Sequence, residues 1–127
     1  MVQKQEYDQP LQGLRILIAE DELLIALALE ETLRDAGADV RRAATVRCAL
    51  RDASDQTLSA ALLDVRLGRQ TTETVADALA EREIPFLFYS GQDLPDTIRD
   101  KHPGATLLLK PVGPGAIIDA FRRIGGH

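Results

Sequence analysis

Four short apolar runs of this chain each end in polar residues able to do chemistry. Leu14-Arg15-Ile16-Leu17-Ile18-Ala19 leads into Glu20-Asp21-Glu22, and Ala60-Ala61-Leu62-Leu63 into Asp64. Ile84-Pro85-Phe86-Leu87-Phe88-Tyr89 leads into Ser90-Gly91, and Ala105-Thr106-Leu107-Leu108-Leu109 into Lys110-Pro111. Carboxylates gathered around one aspartate repel each other unless a cation joins them. Mg²⁺ (or Mn²⁺) suits such a set, because it prefers oxygen ligands and binds through one or two carboxylates, waters and a phosphate. A carboxylate can also serve as a nucleophile and form an aspartyl phosphate. The transferring phosphoryl group then needs positive charge and donors around its oxygens. Lys110 and the cation supply the charge; Ser90 and neighbouring backbone N–H groups supply donors. Every group in the set has a role in one reaction, phosphoryl transfer to a carboxylate.

The groups can meet only if the elements carrying them line up. Each run is short, bounded and suited to a fully buried parallel strand. In an open parallel sheet the carboxyl ends of the strands share one edge, where ligands bind. Helices are expected over about 22–36, closed by Gly37, and over 45–54 with Thr45 as N-cap. A third is expected over 73–83, after a loop at 68–72. The last begins near Pro114, a first-turn proline, and ends at Gly125-Gly126. Residues 39–44 read as a polar edge strand. In the segment 93–102, Pro95 can open a short helix that Pro103-Gly104 end. Five strands alternating with helices give a doubly wound α/β fold, a five-stranded parallel sheet with helices on both faces. The flavodoxin-like order 2-1-3-4-5 sets strands one and three side by side, and Asp21 beside Asp64.

The chain of 127 residues reads as one domain, and its 45% apolar content can fill a core. Residues 1–13 are polar and end in Pro10-Leu11-Gln12-Gly13. They read as a loose tail ahead of a folded unit over 14–125, with Glu6, Tyr7 and Asp8 solvated. No linker to a second domain is visible. The net charge of −5, without a basic cluster, argues against a nucleic-acid surface and suits a cation site. The single cysteine, Cys48, makes neither an internal disulfide nor a metal cluster. No stretch approaches the ~18–20 apolar residues of a membrane span and no signal-peptide pattern opens the chain, so the cytoplasm is the expected compartment. His102 and His127 are assigned no chemistry.

The motif set resembles the receiver domain of bacterial two-component response regulators, the CheY-like family. That family carries an acidic pair after strand one, an Asp after strand three, Thr or Ser after strand four and Lys-Pro after strand five. The matching residues here are Glu20 and Asp21, Asp64, Ser90, and Lys110-Pro111, and the resemblance runs over about 14–124. It implies that Asp64 accepts a phosphoryl group. It implies that Asp21 and Asp64 bind Mg²⁺ directly, Glu20 through water, and that the backbone carbonyl of Arg66 completes the protein ligands. Ser90 and Lys110 contact the phosphoryl oxygens, and the Lys110–Pro111 peptide is cis, a state proline makes accessible. The implied partners are a histidine kinase or phosphotransfer protein and an unknown downstream protein. The chain is then not an enzyme in the usual sense, catalysing only its own phosphorylation and dephosphorylation. Leu107 stands where many receivers carry the Tyr or Phe that works with the Ser90 position as a switch. Leu63-Asp64-Val65-Arg66-Leu67-Gly68 and Val75-Ala76-Asp77-Ala78-Leu79 resemble small single-domain receivers that often accompany HWE-type kinases.

Each signal alone has an ordinary reading. Glu20, Asp21 and Glu22 would suit a helix N-terminus, Asp64 a turn, Ser90-Gly91 a turn dipeptide and Lys110 a solvated loop. Their convergence on one sheet edge argues otherwise. Two neighbouring functions remain: a phosphate sink, and a degenerate receiver acting only as an interaction module. A haloacid-dehalogenase-type phosphatase needs a second Asp two residues after its nucleophile, where this chain has Arg66.

One surface adds to the site. In the first helix Ile25, Ala28, Leu29, Leu33 and Ala36 recur at helical spacing and are expected to face the sheet. Leu23 and Leu27 fall on the opposite side, with Leu24 near them. Single exposed leucines are common. Beside an acidic site they also suit docking of a kinase's helical hairpin, or a homodimer.

Overall fold

The first apolar run forms a strand because both of its faces are covered. The computed structural model describes residues 9–125; Glu6, Tyr7, Asp8, Gly126 and His127 lie outside the described residues. Strand β1 spans Arg15–Ala19, β2 Asp39–Ala43, β3 Ala60–Asp64, β4 Phe86–Ser90 and β5 Thr106–Leu109. They pair in parallel in the order β2-β1-β3-β4-β5, the expected flavodoxin-like order. Alternation divides the side chains between two cores. Leu17, Leu63 and Phe88 meet one face, where helices α2 (Val46–Ala53), α3 (Glu73–Glu81) and α4 (Asp96–Lys101) pack through Ala49, Val75, Leu79 and Ile98. Ile16, Ile18, Leu62 and Leu87 meet the other, under α1 (Leu23–Asp35) and α5 (Pro114–Gly125), which bring Leu29, Leu33, Ile117 and Phe121. Phe88 and Phe121 are fully buried, one in each core; truncating such a side chain to alanine costs about 3–5 kcal/mol.

Local signals set most boundaries. Thr45 caps α2, its hydroxyl accepting the Cys48 N–H at 3.1 Å. Helix α1 ends at Asp35 with Ala36 as its C-cap, and Gly37 turns the chain at φ +100. A Cβ there would sit 3.0 Å from the backbone of Gln12, so both conformation and contact require glycine. Helix α3 stops two residues sooner than its pattern suggests. Arg82 is its C-cap, and Glu83 takes the left-handed conformation at φ 58.

Three expectations need correction. Residues 9–13 are not a loose tail: Leu11 is fully buried beside Ile16 and Leu33, and its N–H donates to the Ala36 carbonyl at 2.8 Å. The loop at 68–72 includes part of a small antiparallel hairpin, in which Arg66 pairs with Thr71 and Leu67 with Gln70. On α1 the buried alanine is Ala26, while Ala28 is exposed. An alanine contributes so little to the apolar face that a small rotation of the helix exchanges one for another.

Candidate functional site

The carboxyl edge of the sheet gathers the chemistry. Ala19 ends β1 and Asp64 ends the adjacent β3, so Glu20, Asp21 and Asp64 converge. Each offers a carboxylate oxygen, and these atoms lie within 4.8 Å of one another. Lys110 follows β5 and reaches back across β4, its Nζ 3.0 Å from Asp64 Oδ2 and 3.4 Å from Glu20 Oε1. The Lys110–Pro111 peptide is cis, and the Lys110 N–H donates to the Ser90 carbonyl at 2.8 Å. Ser90 thus stands next to the lysine, its Oγ accepting the Gln92 N–H at 3.1 Å.

The acids are not helix caps. Glu22 occupies the N-cap position of α1 without a side-chain cap bond, and the first turn holds no acidic residue. Glu20 is instead buried, 3% exposed, with Oε2 accepting the Glu22 N–H at 3.3 Å. Burial pushes its carboxyl up to about 7; the Glu22 amide opposes this and neighbouring Asp64 adds to it. Burial alone would lower Lys110, but the hydrogen bond and charge of Asp64, with Glu20 behind it, raise it overall. Three carboxylates therefore face one ammonium, and the excess negative charge is what a divalent cation would offset.

The hairpin after β3 braces this edge. The Gly68 N–H donates to Asp21 Oδ2 at 3.0 Å and the Arg66 N–H to Asp64 Oδ1 at 3.3 Å. Because the Thr72 N–H bonds the Val65 carbonyl, ladder alternation makes Arg66/Thr71 a non-hydrogen-bonded pair. The Arg66 carbonyl is then free of the hairpin ladder, as a metal ligand would need to be.

Sequence reasoning missed two neighbours. Thr72 is fully buried before α3 and does not cap it; its hydroxyl donates to the Asp64 carbonyl at 2.7 Å, fixing the backbone of that residue. A polar residue ahead of an apolar periodic run was the available signal. Tyr89 carries Lys110 Nζ at 4.7 Å from its ring centroid; inside an apolar run it reads only as a strand residue. Leu107 is half-buried against the α2–α4 core. Leu23, Leu24 and Leu27 are 60%, 82% and 40% exposed, beginning two residues after Asp21.

No family model matches the sequence, and no curated protein does. Solved structures do. The chemotaxis protein CheY4 of Vibrio cholerae superposes with a TM-score of 0.76 at 26% identity, over 87% of this chain and 98% of that one. A response regulator receiver protein from Sinorhizobium medicae gives 0.79 at 24% identity, over 91% and 97% of the two chains. The receiver domain of a sensor histidine kinase from Pseudomonas aeruginosa gives 0.78 at 24% identity, over 91% and 99%, and holds a magnesium ion in its active-site cleft. Among the described residues no helix is long and apolar enough to cross a membrane. These structures cover most of its length, and the fold of this chain, a five-stranded parallel sheet in the order β2-β1-β3-β4-β5 with helices on both faces, is that of CheY-like response-regulator receiver domains.

Proposed function

We propose that the protein accepts a phosphoryl group on Asp64 from a histidine kinase or phosphotransfer protein, in a cytoplasmic, Mg²⁺-dependent two-component relay with output through protein contacts. The observation that carries this reading is Asp64 standing between Lys110 at 3.0 Å and the carboxylates of Glu20 and Asp21. In the transfer an Asp64 carboxylate oxygen attacks phosphorus. The P–N bond to the donor imidazole breaks, the ring nitrogen leaves with the bonding pair, and an O–P bond forms on Asp64. Lys110 pairs with the phosphoryl oxygens, and Ser90, whose Oγ only accepts from Gln92, keeps its O–H to donate to one of them. Asp21, Asp64, Glu20 and the Arg66 carbonyl fit a hard oxygen-liganded cation, which when bound offsets charge on the acids and the phosphoryl group. Acetyl phosphate with Mg²⁺ should label wild type and leave Asp64→Asn unlabelled. Label at the wild-type level in that variant would sink the assignment.

The exposed Leu23, Leu24 and Leu27 suit a helical phosphodonor, because their row starts where Asp21 ends and flanks the approach to Asp64. Joint Leu23→Glu and Leu27→Glu substitution should slow transfer from the kinase about tenfold or more while sparing acetyl phosphate labelling. Unchanged kinase transfer, or a change in solution size pointing to a homodimer, would reject this use of the face.

A further inference from the structure

The switch position that carries an aromatic ring in many receivers is here Leu107, and the ring that touches the site is on the other face of the sheet. Strand β4 ends Phe86-Leu87-Phe88-Tyr89-Ser90. Alternation sends Phe86 and Phe88 to the α2–α4 core, where Leu107 also packs, and Leu87 and Tyr89 to the core under α1 and α5. Tyr89 is 8% exposed, and Lys110 Nζ lies over its ring at 4.7 Å, within the reach of a cation–π contact. That same ammonium is the one bound to Asp64 and Glu20. Tyr89 also lines a groove of about 410 Å³ between α1 and α5, together with Leu24, Ile25, Leu29, Val112 and Ile117. One ring therefore touches the lysine of the site and forms part of the wall of the groove.

We infer that Tyr89 is a positioning residue: its ring holds the Lys110 ammonium over Asp64, and phosphorylation of Asp64 is transmitted through the ring to the α1–α5 groove. The inference rests on the phosphoacceptor reading and adds the route by which the site is read. Lysine carries its charge on a flexible four-carbon stem, so a point charge needs a second support to stay in one place. The negative face of a phenol ring gives that support without neutralising the charge. The phosphoryl oxygens stand beyond the carboxylate that carries them. An ammonium following them outward leaves the ring, and Tyr89 loses the contact that fixed it against Val112 and Ile117. Burial raises the Tyr89 phenol, Lys110 opposes this, and Glu20 and Asp64 add to it.

The chain has two tyrosines and no tryptophan, so in Tyr7→Phe protein Tyr89 is the single tyrosine probe. With 3-fluorotyrosine incorporated, addition of beryllofluoride to the Mg²⁺-loaded protein should shift the Tyr89 resonance. A resonance that stays put in protein whose Asp64 is labelled by acetyl phosphate overturns the inference. In parallel, Tyr89→Leu should slow acetyl phosphate labelling about three- to tenfold with Mg²⁺ affinity kept, and Tyr89→Phe, which keeps the ring, should restore the rate. Equal rates in all three proteins overturn the role, as does a slow Tyr89→Phe that matches Tyr89→Leu. If Tyr89→Leu fails to fold, the fluorine measurement decides alone. Absence of label in wild type strikes the phosphoacceptor reading and this role with it; label with an unmoved Tyr89 strikes the role alone.

Discussion

The two edges of the sheet use the same kinds of charged group in opposite ways. At the amino edge Arg15 opens β1 and binds Asp39 at 2.7 Å and Asp55 at 3.3 Å, and Arg41 stands 3.9 Å from Asp55. Thr57 donates to Asp55 through its hydroxyl at 2.7 Å and its amide at 2.8 Å. Two guanidinium groups answer two carboxylates, and the hydroxyl and amide of Thr57, with Arg15 behind them, hold Asp55 down to about 2. At the carboxyl edge three carboxylates meet one lysine, and Glu20 is pushed up to about 7. The first edge is complete as folded. The second keeps an excess of negative charge, which under the proposed function a cation and a phosphoryl group would complete.

That contrast can be broken most sharply at Asp21. Replacing it with Ala removes one carboxylate of the proposed cation site and the acceptor of the Gly68 N–H, so Mg²⁺ binding should be abolished as read by titration calorimetry. Equal affinity in wild type and variant would remove the metal centre from the comparison, whereas no carboxylate of the amino edge should matter to Mg²⁺.

Stability against pH is the next largest effect, and it has opposite signs at the two edges. Glu20 ordinarily titrates near 4.5 and in the folded protein near 7. As pH rises between these values the unfolded chain has lost the proton that the folded one still holds. Folding stability therefore falls across that window and levels off above 7, by on the order of 3 kcal/mol for the metal-free protein. Glu20→Gln should flatten that fall in thermal melts, and saturating Mg²⁺ should offset it in wild type. Identical pH profiles for wild type and Glu20→Gln would show that the carboxyl edge carries no such cost.

The smallest effect belongs to the amino edge. Asp55 is lowered from 3.8 to about 2, so its contribution is present above 3.8 and lost as pH falls through about 2. Asp55→Asn should lower the melting temperature modestly near neutral pH, with solvent screening keeping the change below that at Glu20, and the difference should close near pH 2. A variant more stable than wild type at pH 7 would make the two edges alike.

What was legible in the sequence follows from the same physics. Strands buried on both faces read as unbroken apolar runs, so β1, β3 and β4 and the residues at their ends stood out; β5 has the same kind of run but is an edge strand, half-buried with Leu109 exposed, so the expectation of full burial fails there. The sheet then brings Glu20, Asp21, Asp64, Ser90 and Lys110 to one edge. The hairpin at Arg66–Thr71 was hidden because Leu67 is its single apolar residue and two residues per strand leave no periodicity to detect. Leu11 was hidden as a lone leucine among polar and turn residues. Thr72 and Tyr89 act through contacts made by distant chain segments, a backbone carbonyl in one case and a lysine in the other, and no local pattern records such contacts.

Leu11 also bears on where this domain can be cut. Its side chain closes the end of the core beneath α1, and its N–H satisfies the last carbonyl of that helix turn. Removing a buried leucine costs about 2–5 kcal/mol, against about 5–15 kcal/mol for a whole domain of ordinary stability. A fragment begun at the first residue of the apolar run, Leu14, would therefore keep every residue of the acidic edge and still forfeit a large share of its folding energy. For recombination, fusion or tagging, the unit of inheritance begins upstream of Leu11, with Gly37 as the fixed partner that lets the segment lie where it does.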